Sequence, residues 1–267
     1  MSDLIEKQDL VKETFNWEVP VESVPLPSQG KVYPKNSPLY NRQFIEIKSM
    51  TAREEDILMS SALIKQGKVL SQLLASCIVD KTIDPDELLS GDRNALMVAI
   101  RITGYGASYS AVTNCPHCSA KSKQEFNLGD LSIKRLEIDP VGEDQNIFEC
   151  KLPVTGKTVH FKFLSGREEE ERSISISRMK RLTGGQAVDR DVTSRLEYQV
   201  VAIDGISDRN AIGQFISKMP ARDSRALRRH IKDNEPGIDL SVDMKCPECL
   251  KQGRVALPIG ANFFWPE

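Results

Sequence analysis

The chain has 267 residues, 40% of them apolar and 28% charged, a composition expected of a globular protein with a core of its own. Lysine and arginine number 36 and aspartate and glutamate 38, a formal net charge of -2, which argues against a dedicated nucleic-acid binder, because phosphate contacts need a basic excess. No apolar run approaches the roughly 20 residues of a membrane span, and residues 1–15, with Asp3, Glu6, Asp9 and Glu13, do not read as a signal peptide, so a cytosolic protein with reduced cysteines is expected.

Leu4, Ile5, Leu10 and Val11 predict a short helix over residues 3–14. Pro20, Pro25, Pro27, Pro34 and Pro38 follow. Proline fixes φ and removes a donor, so this stretch is expected to be an extended arm rather than a core element, lying on its own chain or on a partner. Residues 42–49 read as a strand with Ile45 and Ile47 on one face. Thr51 and Glu54 form a capping box and open a helix whose apolar face holds Leu58, Ala62, Leu63 and Ile64. A second helix is predicted over 68–79, with Cys77 as a structural residue on its apolar side. Asp84-Pro85 starts a short third helix, and Asp92 caps a fourth that runs to Ile102 and ends at Gly104-Tyr105-Gly106.

Residues 145–163 read as a β-hairpin. Phe148, Cys150 and Leu152 alternate on one arm, Val159, Phe161 and Phe163 on the other, and Thr155-Gly156-Lys157 makes the turn. Cys150 and His160 have no ligand partner at useful spacing. Ser165 and Glu168 form a second capping box. The helix it opens runs from Glu168–Glu171 to Arg178, Lys180 and Arg181, an order that complements the helix dipole, and Gly184-Gly185 stops it. Further helices are predicted over 191–203, 208–217 and 221–233, then strands over 238–246 and 253–259. Arg222, Arg225, Arg228, Arg229, His230 and Lys232 read as a solvated helix face, since no aromatic residues for base stacking are interleaved with them. Phe263, Phe264 and Trp265 are costly to leave in water and are expected either to dock on their own chain or to form a peg in a partner.

The strongest chemical signal is a pair of matching knuckles, Cys115-Pro-His-Cys118 and Cys246-Pro-Glu-Cys249. Two cysteines separated by two residues place both sulfurs on one side of a tight turn, and two such turns face to face make a tetrahedral thiolate cage for zinc. Strand-like segments flank each knuckle, which is the layout of a zinc ribbon. Residues 119–245 lie between the knuckles, where a simple ribbon has roughly 15–20 residues. Such a ribbon must be split by an insert, and loop-closure cost grows only logarithmically with length. Ser119 and Leu250 stand where ribbons often carry glycine. A redox pair needs a helix N-terminus after a strand, which neither knuckle shows. Four thiolates leave no open position for catalytic zinc. Knuckles without metal remain the alternative. His117 is expected to be exposed and not a ligand. Leu152-Pro-Val-Thr-Gly156 matches a sortase signal but lacks the following apolar span and basic tail, so it reads as a turn. Pairs such as Asp80 with Asp84 and Asp189 with Asp191 read as solvated caps. No phosphate loop, dinucleotide fingerprint or HExxH motif is present, and no residues point to an enzyme.

The expected fold is α+β: a mainly helical body, a split CPxC…CPxC zinc-ribbon-like β element, and an inserted β-hairpin plus helical region. The expected divisions are an extended arm over 1–41, a strand, helices and first knuckle over 42–130, the insert over 131–237, and the second knuckle with an aromatic tail over 238–267.

The ordered set of segments resembles the family of T4-type contractile-phage baseplate proteins, in its hub-subunit or hub-assembly group. The resemblance is carried by Leu26-Pro-Ser-Gln-Gly30 with Tyr33, Ile45-Glu-Ile-Lys48, Met50-Thr-Ala-Arg-Glu-Glu-Asp-Ile-Leu58, Leu74 to Asp80, Gly91-Asp-Arg93, Arg101 with Tyr105-Gly106, and Cys115-Pro-His-Cys118. It continues in Met219-Pro-Ala-Arg222, Glu235-Pro-Gly-Ile-Asp239, Cys246-Pro-Glu-Cys249 and Phe263-Phe-Trp-Pro266. The order of these segments, more than any single one, is specific. The resemblance implies a non-enzymatic protein of the virion tail baseplate, assembled in the host cytoplasm as part of the hub or as a factor that assembles it. It implies partners among other baseplate and tail proteins, with no small-molecule substrate, nucleic acid or membrane. In that setting structural zinc on Cys115, Cys118, Cys246 and Cys249 would clamp the body. Leu26, Pro27 and Tyr33 of the arm, with Phe263, Phe264 and Trp265, would engage neighbours. An assembly chaperone absent from the finished particle and a zinc-ribbon nucleic-acid-binding regulator are the alternatives.

Overall fold

Ile45 and Ile47 are fully buried on one face of β2 (Phe44–Lys48), as alternation requires, and β2 pairs antiparallel with β1 (Val21–Pro25). The structure is a computed structural model that describes residues 19–142, 145–182, 190–257, 259 and 261–265. The helix expected over 3–14 and the glycine stop at 184–185 lie outside the described residues.

The proline-rich segment is not the extended arm expected from its composition. Leu26, Val32, Tyr33 and Leu39 join the hydrophobic core, because the prolines set turns between them without preventing burial. A buried carboxylate fastens the segment to α4 (Ser90–Tyr105). Ser28 donates to Asp92 from its backbone N–H at 2.9 Å and from its hydroxyl at 2.5 Å, and the Tyr33 hydroxyl donates at 2.7 Å. Asp92 is therefore not the helix cap it was expected to be. It sits inside the first turn with its side chain turned to the core, and Leu89 holds the cap position.

The Thr51–Glu54 capping box opens α1 (Ala52–Met59), but the helix does not run on to Ile64. Ser60 breaks it and caps α2 (Ser61–Gln66) by accepting from the Leu63 N–H, since a serine side chain offers the backbone an alternative to the helical bond. α3 (Val69–Cys77) buries Leu73, Leu74 and Cys77. Burial pushes the Cys77 thiol up to about 12, which suits the structural role expected of it. Residues 84–87 form a turn rather than a helix: the Asp84 carboxylate accepts from the Asp86 N–H at 2.9 Å and closes the chain locally.

The hairpin of β6 (Phe148–Lys151) and β7 (Thr158–Phe161) gains a third strand, β8 (Val200–Ile203). The helix expected over 191–203 stops at Gln199, as α6 after α5 (Gly166–Leu182). Val200 and Ile203 are β-branched and pair with Phe161 and Val159, so sheet packing wins over the helical reading. Phe148 packs on Phe163 at 4.7 Å between ring centroids and on Phe161 at 5.7 Å. α7 (Arg209–Lys218) and α8 (Ala221–Asn234) follow. Asp223 of α8 accepts from the Val154 and Thr155 N–H groups at 2.7 and 3.0 Å, so the Leu152–Gly156 motif is a capped hairpin turn. Arg222, Arg225, Arg228, Arg229 and Lys232 are exposed, opposite buried Leu227 and Ile231.

Two hairpins carry the knuckles. β3 (Ser108–Asn114) pairs with β4 (Lys121–Asn127), and β10 (Ser241–Lys245) pairs with β11 (Gln252–Ala256). β5 (Ile133–Lys134) and β9 (Gly237–Ile238) form a short antiparallel pair beside α4. A Cβ at Gly91 would stand 1.8 Å from the Pro236 carbonyl oxygen, so only glycine lets the start of α4 meet this pair. The architecture is thus mixed helix and sheet, as an α+β reading requires, and one hydrophobic core draws on residues from Val24 to Phe264. Among the described residues no helix is long and apolar enough to cross a membrane.

Candidate metal centre

Each knuckle is a tight turn closed by the same two backbone bonds. The Ser119 N–H donates to the Cys115 carbonyl at 2.9 Å and the Cys115 N–H to the Ala120 carbonyl at 2.9 Å. In the second knuckle Leu250 N–H donates to Cys246 O and Cys246 N–H to Lys251 O, both at 3.0 Å. This closure needs a left-handed residue after the second cysteine, and Ser119 and Leu250 hold φ of 60° and 59°. The glycine missing from both places is thus a glycine conformation held by other residues.

The hairpins bring the four sulfurs together, all within 4.8 Å of one another. Cys115 Sγ lies 3.7 Å from Cys249 Sγ, and Cys118 Sγ lies 3.6 Å from Cys246 Sγ. These separations are far beyond the roughly 2.05 Å of a disulfide bond. They match the edge of a tetrahedron with zinc–sulfur bonds of about 2.3 Å, an edge of about 3.8 Å. Cys115 and Cys246 are buried, Cys249 is half-buried and Cys118 is exposed. The backbone N–H of Cys118 points at the Cys115 sulfur and, with the His117 N–H, pulls that thiol down to about 6, although burial opposes it. For Cys118 the Ala120 N–H favours the thiolate, but burial and the three neighbouring thiols outweigh it and push the group up to about 12. Four sulfurs this close resist carrying four negative charges together. A dication removes that resistance, so the donor set fits zinc.

Three contacts between the hairpins were not legible in the knuckle spacing. His117, exposed as expected, reaches across to the Gln252 carbonyl with its Nε2 at 2.9 Å. A carbonyl only accepts, so Nε2 carries the proton and cannot serve as a metal ligand in this arrangement. The Gln124 side-chain amide donates to the Lys245 carbonyl at 3.0 Å, and Thr113 Oγ1 lies 3.6 Å from Met244 Sδ. Gly253 lets the knuckles close: a Cβ there would stand 2.6 Å from Pro116 Cγ. A glycine inside a predicted strand is the sequence signal for such an approach.

The structure places the six side chains named as partner contacts within this chain. Leu26, Pro27 and Tyr33 are buried, and the Tyr33 hydroxyl meets the start of α4, donating to Asp92 and accepting from the Leu89 N–H. Phe263 and Phe264 are buried, and Trp265 packs partly buried against the same core. Phe263 packs at a tilt against Tyr109 of β3, with ring centroids 5.0 Å apart, and the Arg101 guanidinium donates to the Phe263 carbonyl at 3.2 Å. The aromatic tail thus docks on its own first hairpin. Burial accounts for Leu26, Pro27, Tyr33, Phe263 and Phe264 without a neighbour, and a partner reaching these five would first have to open the core, whereas Trp265 keeps part of its surface exposed.

No curated protein and no solved structure matches the chain. The family described as T4 bacteriophage base plate protein matches residues 22–265, which takes in both hairpins, the helices between them and the aromatic tail. The chain belongs to the T4 bacteriophage base plate protein family.

Proposed function

We propose that this chain is a structural, non-enzymatic component of the hub region of a contractile-phage tail baseplate, braced by structural zinc. The family match over residues 22–265 carries the reading. The hub assignment is supported by the ordered segments that run from Leu26 to Pro266.

Cys115, Cys118, Cys246 and Cys249 would hold the metal. Four thiolates fill its shell, so it supplies a cross-link and no open coordination position. That cross-link joins segments 128 to 134 positions apart in sequence. The chain's own residues complete the brace through His117, Gln124 and the glycine gap at Gly253. The division into residues 1–41, 42–130, 131–237 and 238–267 belongs to this proposal, with Leu26, Val32, Tyr33 and Leu39 of the first segment packed into the core.

The test is a phage that does not make this chain. The reading predicts particles whose tails lack baseplates, restored when the wild-type gene is supplied in trans. Normal contractile tails in its absence would contradict it.

A further inference from the structure

Five non-glycine residues among the described ones hold a positive φ: Gln29, Asn41, Ser119, Asp204 and Leu250. Four are polar and Leu250 alone is aliphatic. A left-handed backbone crowds Cβ against the following carbonyl oxygen, and a leucine has no local hydrogen bond to offset that. Leu250 is also 68% exposed, so its side chain adds little to the core. Ser119 answers the same backbone demand in the first knuckle with a polar side chain. Glycine would close the turn with neither strain nor an apolar group in water. Neither the turn nor the core calls for a leucine in this strained position, and such a residue points to a role outside the fold.

The surroundings define what it fits. Lys245 and Lys251 are exposed on either side of the second knuckle, and Lys121 is exposed next to the first; the exposed acids beside them are Glu248, within the second knuckle, and Asp243, which pairs with Arg254 at 3.8 Å. An apolar tip in a basic rim complements an apolar pocket rimmed by carboxylates. We propose that Leu250 at the tip of the second knuckle is a docking knob that inserts into such a pocket on a neighbouring baseplate protein. The inference rests on the baseplate reading above. The lysines also stand near the four sulfurs, so zinc content is measured beside docking.

Phages carrying Leu250→Gly, or Lys245→Glu with Lys251→Glu, are compared with wild type. Each purified chain is assayed for zinc and for melting temperature, and copies per tail are counted by mass spectrometry of purified particles. The expected result is Leu250→Gly protein with full zinc and an equal or higher melting temperature, yet at least tenfold fewer copies per tail. The charge reversal should also lower the copies with zinc retained. Failure of Leu250→Gly to give particles at all, with zinc and melting intact, is the same result in stronger form. Wild-type copy number in Leu250→Gly particles would overturn the inference. So would loss of zinc or a lower melting temperature in that variant, because Leu250 would then serve the fold. Absence of the chain from wild-type particles would contradict the baseplate reading itself, and is seen without any variant.

Discussion

Asp92 is the residue on which the N-terminal segment hangs. It is fully buried, and its oxygens accept from Ser28 and Tyr33, all neutral donors. Burial raises its pKa above the ordinary 3.8, against the pull of those hydrogen bonds. Burial and the Asp92 charge likewise push the Tyr33 hydroxyl well up. A raised carboxyl binds its proton more tightly folded than unfolded. Its contribution to stability is fully present below the ordinary value and is lost as pH rises through the folded one. Glu54 is the opposite case: burial raises it, but Ser76, Thr51 and Lys48 together bring it below 4.5, so its contribution is lost as pH falls. Asp92→Asn removes a contribution that fades as pH rises above 3.8, so the melting temperature of the variant is expected to rise relative to wild type as pH increases from that value. Asp92→Ala strands three donors and is expected to cost about 3 kcal/mol or more in urea unfolding. An Asp92→Asn variant with the wild-type pH slope would show that this carboxyl does not set it.

At the scale of elements, the two hairpins meet through four sulfurs and a glycine gap. Gly253→Ala sets a methyl against Pro116 and is expected to destabilise by about 1–3 kcal/mol and to release zinc at lower chelator concentration. Cys115→Ser with Cys246→Ser removes the two buried cysteines of the cluster and should do more. Structural zinc contributes roughly 10–16 kcal/mol in small zinc domains, as much as the whole stability of a typical domain. A double variant that melts like wild type and holds as much zinc would rule out the clamp. These hairpins were legible in the sequence because the signal is local: CPxC is one turn, and its strands alternate. The capping boxes at Thr51 and Ser165 were legible for the same reason. What was hidden depends on distant partners. Asp92 looked like a cap because Ser28 and Tyr33 are 64 and 59 positions away. Val200–Ile203 fits either a helix or a strand until β7 is beside it, since a short apolar run has no decisive period. Proline content marked residues 19–40 as extended, but not that Leu26 and Tyr33 would be buried.

At the scale of the molecule, the two knuckle hairpins, the docked aromatic tail and α4 converge. Arg101 of α4 donates to the Gly106, Ser108 and Phe263 carbonyls, joining helix, first hairpin and tail. Such a body is braced from within, and Leu26, Tyr33, Phe263 and Phe264 are buried in it rather than presented at its surface. Membership of the base plate family places that surface among other baseplate proteins in the virion tail. The most direct measurement is quantitative mass spectrometry of purified, mature virions, with zinc determined on the same particles. The account predicts this chain at a few to about a dozen copies per tail, the range that symmetric closed assemblies allow, with zinc present in proportion. Finding the chain only in infected-cell lysate, and absent from finished particles, would contradict it and make the protein an assembly factor.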